Sequence, residues 1–142
     1  MSDTTPTPDF VGDYPQATDF PQPPAGHGAV VCRYWFDSKL EVERPGRVTY
    51  QQPNWDVWVP PPVVHIDGRE VRASWSGWWY PLSPGPHQVE VREPVAATLR
   101  VEVTPGATHW LRYRVDLSIL HLYLHGPILE WRGKATLRET PD

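Results

Sequence analysis

A chain of 142 residues has room for one sizeable hydrophobic core, and its 18 prolines and 10 glycines break it too often for long helices, while 8 tryptophans call for tight packing. The single cysteine, Cys32, excludes an intrachain disulfide, a cysteine-rich zinc site and a redox pair. The net charge of −4 resides wholly in residues 1–26, which hold Asp3, Asp9, Asp13 and Asp19 and neither lysine nor arginine; from His27 onward acids and bases cancel, and the 11 arginines, interleaved with acids, present no basic face for nucleic acid.

Residues 1–26 also carry six prolines and few apolar side chains, too few to offset the entropy of ordering them, so a disordered, acidic, Pro-rich arm is expected. Its opening, MSDTTPTPDF, has neither a positive nor an apolar segment of the secretory kind, and no uncharged apolar run reaches the roughly 18 residues of a membrane helix. A cytoplasmic location without a membrane span is the expectation. Within the arm, Asp13-Tyr14-Pro15-Gln16 is repeated six residues later as Asp19-Phe20-Pro21-Gln22. An aromatic ring beside proline and a carboxylate is the make-up of short docking motifs, because proline lowers the entropy lost on binding and the ring anchors. Compositional drift, or rings that lie back on the protein's own apolar surface, is the alternative.

From Gly28 the pattern turns to strands. Ala29 to Phe36 is rich in β-branched and aromatic residues, and Arg47 to Tyr50 follows the Pro45-Gly46 turn. PNWDVWVPPP, residues 53–62, has too many prolines for a central strand and reads as an edge or a bridging loop. Val63 to Ile66 runs into Asp67-Gly68, a strong hairpin signal, and Arg69 to Trp75 returns. A weaker turn at Ser76-Gly77 sets Trp75 opposite Trp78; Trp78, Tyr80 and Leu82 then face inward, and Trp79 faces out, needing a loop or a partner to cover it. The turns Pro84-Gly85 and Pro105-Gly106 each open an alternating strand and suggest repeated hairpins. Leu117 to Leu124 is apolar on both faces, a buried strand or a short helix, ended by Gly126-Pro127. The fold class expected is all-β: over residues 28–115 a twisted antiparallel β-sandwich or partly open barrel, within a domain of residues 27–142. Ile66, Trp75, Trp78, Tyr80, Leu82, Val89, Val91, Val101 and Leu111 form its expected core.

Val64-His65-Ile66-Asp67-Gly68-Arg69-Glu70-Val71, followed by Tyr80-Pro81-Leu82-Ser83-Pro84-Gly85-Pro86-His87-Gln88-Val89-Glu90-Val91, resembles the V-x-V-D-G-x-x-V … L-x-P-G-x-H-x-V-x-V pattern of PEGA-like β-sandwich domains. Similar modules stand at the N-terminal side of many actinobacterial proteins of unknown role. The resemblance spans residues 63–115 and implies a bacterial, non-enzymatic module without a catalytic residue. The Trp-rich segment 75–79, the strands before residue 60 and the apolar end after Asp116 depart from the pattern.

Chemistry is scarce. None of the metalloprotease, esterase, P-loop or dinucleotide signatures occurs. His121-x-Tyr123-x-His125 has ligand spacing, but two histidines alone do not make a metal site, so neither a metal nor another cofactor is expected. Cys32, in an apolar strand with no base beside it, reads as a structural thiol. His87 follows the Pro-Gly turn and is expected to hydrogen-bond its backbone. These features favour a protein-interaction module over an enzyme, with a protein partner or a second copy as ligand and Tyr14, Phe20, Trp55, Trp58 and Trp79 as contacts. The alternatives are a carbohydrate-binding module using Trp55, Trp58 and Trp79, and a structural subunit of a larger particle.

Overall fold

The computed structural model describes residues 11–12, 20–44, 47–51, 59–122 and 126–141, with side chains at 20–38, 59–120 and 128–141. These residues form ten strands and no helix: β1 (Val11–Gly12), β2 (Gly28–Arg44), β3 (Arg47–Gln51), β4 (Val63–Ile66), β5 (Arg69–Val71), β6 (Gly77–Leu82), β7 (Gly85–Glu93), β8 (Ala97–Val103), β9 (Thr108–Leu122) and β10 (Gly126–Thr140). The first sheet runs β1-β6-β2-β9-β10, with β3 beside the far half of β2; the second runs β5-β4-β7-β8. The protein is thus all-β. Leu117 to Leu122 continues β9, so the apolar run there is strand, and the prolines at 60–62 lie between strands as their missing N–H groups require.

The two sheets pack face to face. The first contributes Val30, Cys32, Tyr34, Trp78, Tyr80, Leu82, Leu111, Tyr113 and Val115 to the main core, and the second Val64, Ile66, Val71, Val89, Val91, Val101 and Val103. Period-2 alternation places these residues on inner faces. All the expected core residues are buried except Trp75, which is half-buried. The reason is local: β5 stops at Val71, and residues 72–76 run outside any strand, bending at Trp75-Ser76, so the ladder no longer holds Trp75 on the inner face. It stacks on Trp131 at 5.7 Å, receives the edge of Phe36 at 4.9 Å, and donates its indole N–H to the Pro60 carbonyl at 2.8 Å.

Two expectations need correction. The sandwich is not purely antiparallel, because β2 and β9 pair in parallel from Ala29↔Thr108 to Val42↔His121. Nor do the Pro-Gly turns close hairpins. Ser83-Pro84 leads from β6 in the first sheet to β7 in the second, and Pro105-Gly106 from β8 in the second to β9 in the first, so both turn a corner between sheets. Asp67-Gly68 does close a hairpin, β4–β5, with φ of 53° and 81°, the pair of positive angles a type I′ turn demands.

Candidate interaction face

The outer face of the first sheet is built by the residues left over from the core. On β2 these are Ala29, Val31, Arg33, Trp35 and Asp37; on β6, Gly77 and Trp79; on β9, Trp110, Arg112 and Arg114. Gly77 leaves a recess between Trp79 and Arg33, and Phe20 fills it. A Cβ at residue 77 would stand 2.9 Å from the Phe20 ring, so no other amino acid fits there without displacing that ring. Phe20 packs with Ala29, Val31, Trp79 and Trp110, meeting Trp110 edge-on at 6.0 Å. The arm's described residues thus join the sandwich at two points, since Val11 and Gly12 also pair with Trp78 and Gly77 along the edge of β6.

Of the partner contacts expected from sequence, the structure brings together Phe20 and Trp79. Trp79 points away from the core as its alternation requires, and its cover is the arm's own phenylalanine. Both rings are buried, at 8% and 6% exposure, so neither offers an open surface while the arm is seated. The Trp79 Nε1 has no hydrogen-bond acceptor among the described residues. Tyr14, Trp55 and Trp58 lie outside the described residues, as do Tyr123 and His125 of the spaced histidine pair. Among the described residues no three His, Cys, Asp or Glu side chains gather as metal ligands, and no helix is long and apolar enough to cross a membrane.

Further along the same face stands Trp35, 57% exposed, which the alternation of Ala29 to Phe36 turns outward but which does not resemble any motif. Its indole N–H donates to Asp37 Oδ1 at 2.9 Å, and Asp37 Oδ2 accepts from Arg114 Nε at 2.5 Å. The hydrogen bonds from Arg114 and then Trp35 hold the Asp37 carboxyl below its ordinary value. The ring is therefore fixed in place although it faces water.

Inside the sandwich the titratable groups serve packing. Burial pushes the Cys32 thiol up to about 12, which keeps it protonated and non-nucleophilic at neutral pH. Tyr80 donates its hydroxyl hydrogen to the Arg72 carbonyl at 2.7 Å, which leaves Tyr34 to donate to the Tyr80 oxygen at 2.9 Å. Tyr113 donates to the Val95 carbonyl at 2.7 Å and accepts from the Val95 N–H at 3.3 Å, fixing the connection between β7 and β8.

His87 ties two turns together. Its Nδ1 lies 2.5 Å from Asp67 Oδ2 and its Nε2 2.6 Å from the Ser83 carbonyl, while Asp67 Oδ1 accepts from the Gln88 N–H at 2.9 Å. A carbonyl only accepts, so Nε2 carries a hydrogen and donates it to the Ser83 oxygen. His87→Ala leaves the Ser83 carbonyl without its donor and the Asp67 carboxylate without the ring, an expected loss of about 1–3 kcal/mol measurable by chemical denaturation. Comparison of the chain with protein-family models, curated proteins and solved structures gives no match.

Proposed function

We propose that this chain is a non-enzymatic protein-interaction module: a PEGA-like β-sandwich whose outer face receives an Asp-aromatic-Pro-Gln segment, joined to an arm that carries two such segments. The carrying observation is the seat of Phe20. The second motif of the arm is lodged by its ring in a recess that exists because residue 77 has no side chain, between Trp79 and Trp110. The chain thus holds both a receptor and its ligand. Cis occupancy explains why the receptor is closed, and exchange of the arm for a partner's segment is what opens it. Asp67 and His87, one from each half of the PEGA-like pattern, meet in the fold. The carbohydrate alternative loses Trp79 to the arm, whereas the assembly-subunit alternative employs the same face.

A dye-labelled peptide of residues 17–24, titrated into the full chain and its Phe20→Ala variant, tests this reading. The variant, its recess vacated, is expected to bind the peptide at least tenfold more tightly than the unaltered chain, whose tethered ring competes at roughly millimolar effective concentration. Adding Gly77→Ala to the variant should abolish that gain. Absence of binding to the Phe20→Ala chain would reduce the recess to a piece of intramolecular packing.

A further inference from the structure

The connector that leads from the seated ring to β2 has a shape dictated by its own residues. In Phe20-Pro21-Gln22-Pro23-Pro24 every residue is a proline or stands before one. A proline ring fixes its own φ at about −65° and bars the residue before it from the helical region, so covalent sterics favour an extended, left-handed polyproline helix. Pro21 to Pro24 lie in no strand or turn, and the peptide bonds of the segment are trans. A polyproline helix repeats about every three residues, and the burial follows that period. Phe20 is buried and Pro23 half-buried on the edge towards the sandwich, whereas Pro21, Gln22, Pro24 and Ala25 are exposed.

Both ends of the segment are held. Phe20 fills the recess over Gly77 at one end. At the other, the His27 N–H closes a turn on the Pro24 carbonyl at 3.0 Å, with Gly26 at φ 77° supplying the positive angle a type II turn requires at its third residue. The His27 carbonyl accepts the Gly106 N–H at 2.9 Å, which ties that turn to the corner between β8 and β9.

We propose that the ridge made by Pro21 and Pro24 is a ligand, presented to a partner protein that binds polyproline in an aromatic-lined groove with a basic rim. The two prolines stand one turn apart on the same outward edge, about 9 Å from each other, the spacing that grooves walled by aromatic rings read. The carbonyls of Pro21, Gln22 and Pro23 receive no hydrogen bond from the described residues, so they are open to the indole and phenol donors of such a groove. Charge sets the rim, because residues 1–26 carry −4 and Asp19 immediately precedes the segment. Clamped ends remove ordering cost that a free proline segment still bears on binding. Phe20 keeps its seat throughout, so this contact is separate from exchange of the arm at the recess.

Calorimetric titration of the full chain into a panel of purified SH3 and WW domains tests the proposal. At least one domain is expected to bind saturably. Pro21→Ala with Pro24→Ala should weaken that binding about tenfold or more, and Pro23→Ala, on the half-buried edge, less than about threefold. Raised salt should weaken it as well. Pro21 and Pro24 are exposed, so their substitution should leave the urea midpoint in place. Phe20→Ala, which frees one end of the ridge, is expected to bind the same domain more weakly than the unaltered chain. Absence of binding by every domain, binding indifferent to the paired proline substitution, or binding strengthened by Phe20→Ala overturns the proposal, and binding unmoved by salt overturns the basic rim. Peptide binding at the recess of the Phe20→Ala chain would still stand in each case.

Discussion

Trp78→Ala is expected to lower the unfolding free energy by about 3–5 kcal/mol, the usual cost of removing a large buried aromatic side chain. Trp78 is 4% exposed and sits on the inner face of β6, where it belongs to the main core. Its indole N–H donates to Ser74 Oγ at 2.9 Å, and the Arg72 guanidinium lies over its ring at 5.6 Å, so truncation also strips a hydroxyl and a cation of their partner. Neighbouring strands cannot close the gap, because β6 is held between β1 and β2 by its ladder. Trp78→Phe, which keeps most of the volume, should recover more than half of the loss. Urea midpoints of the two variants check this, and an unchanged midpoint for Trp78→Ala would contradict the burial of that ring.

The second large effect lies in alkali. Burial lifts Cys32 from 9.0 to about 12 and Tyr113 from 10.0 to about 12, and it pushes Tyr34 and Tyr80 well above 10.0. In each case the folded protein favours the neutral, protonated form. The unfolded chain releases those protons first, so stability is full below about pH 9, declines as the unfolded thiol and phenols ionise, and is lost as pH passes the folded values near 12. The rise at Cys32 corresponds to about 4 kcal/mol between the two ends of that window. Cys32→Ala should therefore flatten the decline between pH 9 and 10, leaving the later part governed by the tyrosines. Denaturant titrations at successive pH values measure the slope. An identical slope in the two chains would mean that Cys32 is exposed to water.

What sequence could reveal was local. Asp67-Gly68 names its own turn, because positive φ at two successive positions is a property of those two residues. The alternation of Val89, Val91, Val101 and Leu111 likewise names an inner face, and the same alternation turned Trp79 outward before its cover was known. Pro84-Gly85 and Pro105-Gly106 show the limit of such signals, since a turn dipeptide reports that the chain bends and not which sheet it bends towards. Trp75 was misplaced for a related reason: apolar periodicity continued past the point where the β5 ladder ends.

The candidate site was less legible. Arg33 and Arg112 stand far apart in the chain, and only the parallel register of β2 on β9 sets them side by side on the outer face. Phe20 and Trp79 both drew attention as rings seeking a partner. That each would be the other's partner depended on Gly77, whose missing side chain carries no message until the recess is seen.

The parallel pairing of β2 with β9 also has a consequence for how the protein is made. Ala29 pairs with Thr108, so a synthesising ribosome that adds roughly 5–20 residues per second exposes β2 for several seconds before its long neighbour exists. All of the second sheet is translated in that interval, and its hairpins β4–β5 and β7–β8 need no help from β2 to pair. The nascent chain therefore carries a complete small sheet beside a waiting strand that includes Val30, Val31, Cys32 and Tyr34, an apolar edge open to any other extended chain. Of the described strands it is β9, arriving with β10 after the second sheet, that shuts that edge.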